Sequence, residues 1–208
     1  MRFVVISDTH GLHAHVNVPP GDVLVHAGDF TGHSTLSEVQ DFLSWFGSRS
    51  GFAAKILVPG NHDRLFETHW DLVSALIPKE ITCLNDQGCQ VGDLHIWGSP
   101  VSPRFFNWAF NRDRGTAIAR HWEMIPDATD VLITHCPAHG ILDRTFDGVA
   151  VGCVDLRRRI ESLRLKAHFC GHIHAGYGRT TLQNTIMVNA AICDDSYRPV
   201  RAPMVVDL

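Results

Sequence analysis

Five places in the chain set carboxylate, amide and imidazole side chains close together: Asp8-Thr9-His10, Gly28-Asp29, Gly60-Asn61-His62-Asp63, the lone His135, and Gly171-His172-Ile173-His174. Imidazole nitrogen combined with carboxylate and amide oxygen suits divalent ions of borderline hardness, such as manganese, iron and zinc. No cysteine stands in these positions, which argues against a closed structural zinc site. His172 and His174 flank Ile173, so an extended backbone aims both rings to one side, where two neighbouring ions can share the pair. Each piece alone has an ordinary reading. Asp8 could be a turn residue, His10 a surface residue, and Asp63 the cap of a following helix. The recurrence is what carries weight.

The pieces share what precedes them. Arg2–Ile6, Asp22–Ala27, Lys55–Leu57, Asp130–Thr134 and Ala167–Cys170 are short, mostly apolar runs, as expected for strands covered on both faces. Each delivers its polar group just past the strand, at the edge where α/β proteins place ligands. Pro59 and Gly60 make the third of these a strand-to-helix turn. Thr35-x-x-Glu38 is a capping box, and Leu36, Val39, Phe42, Leu43 and Phe46 follow at helical spacing. The pattern predicts further helices from about Leu65, over Arg114–Met124 and over Val154–Leu163. Short β segments are expected across Ile81–Trp97, broken at Gly88 and Gly92, and two more strands at Thr185–Asn189 and Met204–Val206. Gly98–Arg112, with two prolines and four aromatics, reads as a structured loop. Its Phe105, Phe106 and Trp108 are expected to pack the loop onto the body or form a subunit contact; stacking on a base, with Arg104, Arg112 or Arg114 meeting a phosphate, is the other reading.

The bulk composition excludes several classes. A chain of 208 residues fits one domain, 1–208, with a core of its own. The net charge of -4 makes long nucleic acid a poor partner. The six cysteines show no C-x-x-C spacing and read as reduced thiols of a cytoplasmic protein. Neither a signal peptide nor a membrane span is expected. His26 lies inside a strand and is expected to pack. His13, His15, His33, His69, His95, His121, His139 and His168 are expected to be surface or satisfied core groups.

As an ordered set from Asp8 to His174, the five motifs resemble those of the calcineurin-like metallophosphoesterases. His26-Ala-Gly-Asp-Phe-Thr31, Gly98-Ser-Pro100, Asn107-Trp-Ala-Phe-Asn111, the stretch Gly171–Gly178 and the ending Pro203–Leu208 are similar to its metallophosphoesterase-domain-containing branch, the class III phosphodiesterases. The resemblance implies an α/β four-layer sandwich of two mixed β-sheets flanked by helices. It implies two divalent metal ions (Mn, Fe or Zn), one taking Asp8, His10 and His174, the other Asn61, His135 and His172, with Asp29 bridging. His62 and Asp63 then lie outside the coordination shells. His62 would give a proton to the leaving group, and Asp63 would hold its ring in the right tautomer. The reaction implied is hydrolysis of small phosphodiesters, cyclic nucleotides included, by a metal-bound hydroxide available near a pH of about 7. The partner is thus a small phosphoester, such as a nucleotide, with no long nucleic acid and no membrane. The competing readings are a phosphomonoesterase, a nuclease on short substrates, and a binding scaffold without turnover.

Overall fold

The computed structural model describes residues Met1–Leu208. In chain order the strands are β1 (Arg2–Ile6), β2 (Val23–His26), β3 (Ala54–Leu57), β4 (Ile81–Cys83), β5 (Gln87–Val91), β6 (Leu94–Ser99), β7 (Ser102–Pro103), β8 (Asn111–Arg112), β9 (Val131–Thr134), β10 (Ala167–Cys170), β11 (Gly178–Leu182), β12 (Thr185–Asn189) and β13 (Met204–Asp207). The helices are α1 (Leu36–Gly47), α2 (Leu65–Thr68), α3 (Trp70–Ser74), α4 (Thr116–Glu123) and α5 (Val154–Ser162).

Alternation along the strands builds the layers. Phe3, Val5, Val23, Val25 and Ile56 point to one side and meet Ile96, Val131, Ile133, Phe169 and Val188 in a core between two sheets. Val4, Leu24 and Leu57 point the other way, onto Val39, Phe42 and Phe46 of α1, Phe66 of α2 and Val73 of α3. Trp97, Leu132 and Met187 do the same for the second sheet, against Ile118 and Trp122 of α4 and Leu156 and Ile160 of α5. Both faces of both sheets are thus covered, which is why the central strands read as unbroken apolar runs. The result is a helix–sheet–sheet–helix sandwich.

The first sheet has the order β13-β1-β2-β3-β4 and is parallel except for β13. The second has the order β11-β12-β10-β9-β6-β5, with a parallel centre and antiparallel edges. Parallel pairing sends the carboxyl ends of β1, β2 and β3 to one edge of their sheet, and those of β9 and β10 to one edge of theirs. A bridge between Ser7 and Ala191 ties the two edges together.

Two local features differ from the sequence reading, and a third matches it. The helix from Leu65 breaks at His69, whose backbone (φ -139, ψ 48) is not helical, giving α2 and α3. The capping box of α1 forms as expected, with Thr35 and Glu38 each accepting from the other's backbone N–H. β11 was not anticipated, because Gly-Arg-Thr-Thr-Leu is a polar, solvent-facing edge strand with no apolar run to betray it. All six cysteines are free, and no helix is long and apolar enough to cross a membrane.

Candidate metal centre

The strand ends converge. Asp8 and His10 come from the turn after β1, Asp29 from β2, Asn61 from β3, His135 from β9, and His172 and His174 from β10. Asp8, Asp29, Asn61 and His135 are buried. Their donor atoms gather as Asp8 with His10 and His174, and as Asp29 with His135 and His172; each trio's candidate atoms lie within 4.8 Å of one another. A third trio of the same tightness, His10, Asp29 and His62, joins them. Asn61 completes the second group, its Oδ1 standing 2.9 Å from His135 Nε2.

The backbone is bent to achieve this. Asp8, His10, Asp29 and His172 have φ of 54, 44, 57 and 68°, the left-handed region that costs a non-glycine residue about 1–2 kcal/mol. Hydrogen bonds hold them there: Asp8 N–H donates to Gly28 O (2.8 Å) and His10 N–H to Asp29 O (3.0 Å), while His172 N–H donates to the Asp8 carboxylate (2.9 Å). Two of the glycines beside ligands serve close approach. A Cβ on Gly60 would strike the Asp29 carboxylate, and one on Gly171 would strike Ser7 Oγ and the Asp8 carboxylate.

The ring orientations fit metal ions. Nδ1 of His135 lies 2.9 Å from Ala27 O, and Nδ1 of His174 lies 2.9 Å from Asp194 O. A carbonyl oxygen only accepts, so both rings carry hydrogen on Nδ1 and turn Nε2 to the centre, the arrangement usual behind metal-bound histidine. His174 Nε2 is 3.5 Å from Asp8 Oδ1 and 3.2 Å from His10 Nε2, so two ring nitrogens face each other beside a carboxylate. His10 Nδ1 is buried without a partner. Such a cluster needs positive charge among its lone pairs.

Left to the protein's own groups, that charge is protons. Burial opposes charge on His135, yet Asp29 and Asp8 carry its pKa up to about 9. Burial likewise opposes charge on His174, and the Asp8 carboxylate still raises it. Burial would push Asp29 up, but His135 holds it well below the usual carboxylate range. His10 and His172 are drawn down to about 4, chiefly by burial. Divalent ions held here would take the place of the protons on His135 and His174. The residues therefore fit a binuclear centre, with Asp29 between its halves.

His62 and Asp63 do not form the expected pair. His62 Nδ1 instead donates to Gly32 O at 3.0 Å. Its ring stacks on Trp108 (centroids 4.3 Å apart, 26° between planes), and its backbone N–H donates to Asp29 Oδ1 at 2.7 Å. Asp63 turns inward, accepting from the backbone N–H of Gly60 (2.7 Å), Asp29 (2.9 Å) and Thr31 (3.0 Å) and from Thr31 Oγ1 (2.7 Å). Burial and the Asp29 charge push its pKa up to about 7. Three of its four partners are amides that can only donate, so the pocket is shaped for the carboxylate. The orienting partner of His62 is a carbonyl that no sequence motif marks.

Above the centre opens a cleft of about 520 Å³. His10, Asp29, Asn61, His62, His172 and His174 form its floor, and Phe105, Phe106, Trp108, Phe146 and Tyr197 its walls; Asp147 and Asp195 also line it. No lysine or arginine does. The loop aromatics are thus divided: Phe110 is buried, Trp108 packs on His62, and Phe105 and Phe106 stay exposed over the cleft. Arg104 pairs with Asp113, Arg112 with Glu67, and Arg114 bonds the carbonyls of Val151 and Gly152. Sequence reasoning missed Phe146 and Tyr197, single aromatics in polar segments, although Tyr197 is held over His10 at 4.7 Å with a φ of 56°. His26 is a core group, bonded to Thr9 and packed on Phe42. His139 lies beside Asp143, outside the cleft lining.

Similarity to known proteins spans the chain. The profile of the calcineurin-like phosphoesterases matches residues 1–176. Metallophosphoesterase domain-containing protein 1 of Homo sapiens is 39% identical over 231 residues, an alignment covering 100% of this chain and 71% of the human one. A UPF0046 protein of Caenorhabditis elegans is 34% identical over 229 residues, covering 100% and 81%. Among solved structures, phosphopantetheinyl hydrolase from Mycobacterium tuberculosis superposes with a TM-score of 0.63 at 15% identity, covering 97% of this chain and 95% of its own, a likeness of fold. The profile match and the full-length identities establish that the chain belongs to the calcineurin-like phosphoesterase family, whose members are hydrolases that use divalent metals.

Proposed function

We propose that the protein hydrolyses small phosphodiesters, cyclic nucleotides among them, at a binuclear metal centre. Asp8, His10 and His174 would hold one ion, Asn61, His135 and His172 the other, and Asp29 would bridge them. Manganese, iron and zinc all suit this nitrogen and oxygen donor set. When bound, such a pair of ions activates water and offsets charge on the phosphoryl oxygens.

The observation that carries the diester reading is the charge of the cleft. No lysine or arginine lines it, and Asp147 and Asp195 do. A phosphomonoester near neutral pH approaches two negative charges and would meet no cationic side chain there. A diester brings one. The exposed Phe105, Phe106 and Phe146 suit a flat, aromatic ester group.

His62 is the proton donor to the leaving oxygen in this account, acting through Nε2 while Gly32 O fixes Nδ1–H. Trp108 holds the ring from its far face. Asp63 is a positioning residue, fixing the backbone of Gly60, Asp29 and Thr31. Six free thiols fit a reducing compartment such as the cytoplasm.

The test is a comparison of bis-p-nitrophenyl phosphate with p-nitrophenyl phosphate on metal-reconstituted protein, with bound metal measured alongside. The diester should have the higher kcat/KM. A faster monoester would make the protein a phosphomonoesterase, and metal-loaded protein that turns over neither would be a binding scaffold.

A further inference from the structure

A second cavity, of about 270 Å³, lies beside the cleft. The two share Phe105, Thr145, His172 and Ile173, so the second cavity meets the metal centre at His172. Its remaining lining includes Cys136, Pro137 and Val151, with Arg104 and Arg114 as its only charged residues. Arg104 is neutralised by Asp113 at 2.5 Å. Arg114 has no carboxylate partner: Nη1 donates to Gly152 O (2.8 Å) and Nη2 to Val151 O (2.7 Å). Its positive charge therefore faces an otherwise largely apolar space.

The side chains that wall the two cavities carry opposite charge. The cleft carries Asp147 and Asp195 and no cationic side chain, while the side pocket carries the unneutralised Arg114. A cyclic diester has both ester oxygens on one ring system and occupies a single cavity. A linear diester has two arms that leave phosphorus in different directions, and two cavities that meet at a metal-ligating histidine match that shape. Charge then decides which arm goes where, since away from the metal centre an anionic arm is repelled by Asp147 and Asp195 and drawn to Arg114.

We propose that the side pocket binds the second ester arm of a linear phosphodiester, and that Arg114 selects an arm ending in an anionic group. The proposal rests on the phosphodiesterase reading and narrows it: the preferred substrate is unsymmetrical, with a flat arm in the aromatic cleft and an anionic arm in the side pocket. Carboxylate and phosphate share the chemistry that Arg114 recognises.

The test uses full-length, metal-reconstituted protein and p-nitrophenyl phosphodiesters that share the aryl arm. The second arm is ethyl, 2-carboxyethyl, 2-phosphoethyl or 2-(trimethylammonio)ethyl. The anionic arms should exceed ethyl in kcat/KM by about tenfold, and the cationic arm should fall below it, as a charge-assisted contact predicts. The better of the two anionic arms identifies the anion. Arg114→Met should collapse this order and Arg114→Lys should keep its sign. Arg114 also tethers two carbonyls, so Val151→Phe provides a variant that fills the pocket without touching the charge. It should lower the ratio of every linear arm to 3′,5′-cyclic AMP. Equal rates for all four arms, or faster hydrolysis of cyclic AMP than of the carboxyethyl ester, would overturn the pocket proposal and leave the diesterase reading intact. Turnover of p-nitrophenyl phosphate with none of the diesters would sink both.

Discussion

At the candidate metal centre below the cleft Asp8, Asp29 and His135 are at most 2% exposed, whereas at the mouth of the cleft Phe105, Phe106 and Phe146 are 59%, 77% and 83% exposed. The seven candidate ligands sit one to four positions past a strand, four of them in left-handed backbone pinned by hydrogen bonds. Mouth residues come from the loops between β7 and β8 and between β9 and α5, and their side chains stand largely in solvent. A floor so built tolerates no displacement, because Gly60, Gly171 and the ligands they admit already touch. The mouth can vary without disturbing the ions. Chemistry is assigned to the rigid part and selection to the adaptable one. Substitutions at the two levels should therefore fail differently.

The largest effect is expected at Asp29, which belongs to two of the ligand clusters. Asp29→Asn should lower metal affinity by more than the roughly 10–100-fold typical of a group behind a ligand, and activity should fall with it. Metal analysis after dialysis against a chelator measures this. Wild-type metal content in that variant would remove Asp29 from the bridge. His62→Ala comes next. It should keep metal and lose about 10²–10⁴-fold in turnover on an alkyl diester. The loss should be smaller on p-nitrophenyl esters, whose leaving group needs no proton. Metal content falling in step with turnover would make His62 a ligand, which its place beside His10 and Asp29 allows.

Asp63→Asn probes the support beneath the floor. The new amide would turn an N–H₂ group toward backbone N–H donors of Gly60 and Asp29 or of Thr31. Metal affinity should drop roughly 10–100-fold while the protein stays folded, as read by competition with a chelating dye. A milder effect follows from the proton on His135, whose pKa stands at about 9. Below that value the metal-free centre is protonated and binding must displace the proton. Affinity should therefore rise about tenfold per pH unit toward a pH of about 9, more steeply where His174 also gives up a proton. Metal titrations in chelator buffers across that range would show the slope. A flat profile would mean that His135 binds metal without releasing a proton.

The convergence of the candidate ligands was legible in the sequence because each follows a buried strand, so motif and element announce each other. The same regularity made the two sheets readable, apart from the polar edge strand β11. Asp63 was legible as a residue and not as a role. Its partners are backbone amides of Asp29, Thr31 and Gly60, and no side-chain pattern reports which way a carboxylate will turn. His62 shows the same limit, since Gly32 O orients its ring. The mouth left almost no trace. Phe146 and Tyr197 are isolated aromatics among polar neighbours, and Phe105 and Phe106 read first as packing residues.

Phe106 gives the smallest effect and the sharpest contrast with the floor. Its ring meets Phe105 at 4.4 Å, edge to face, and its φ of 48° is unfavourable for a side chain this large. Strain of that kind on an exposed aromatic beside a cleft serves presentation more readily than packing. Stacking of one flat group on one aromatic contributes about 1–3 kcal/mol, or about 5–150-fold in affinity, and the lower end suits so exposed a ring. Phe106→Ala should thus raise KM for aryl or nucleoside diesters about fivefold, with kcat, bound metal and the KM for a dialkyl diester held at wild-type values. Thermal stability should not fall, because little is buried. Equal losses on aryl and alkyl substrates would mean that Phe106 shapes the loop and not the ligand, and a loss of metal would erase the distinction between mouth and floor.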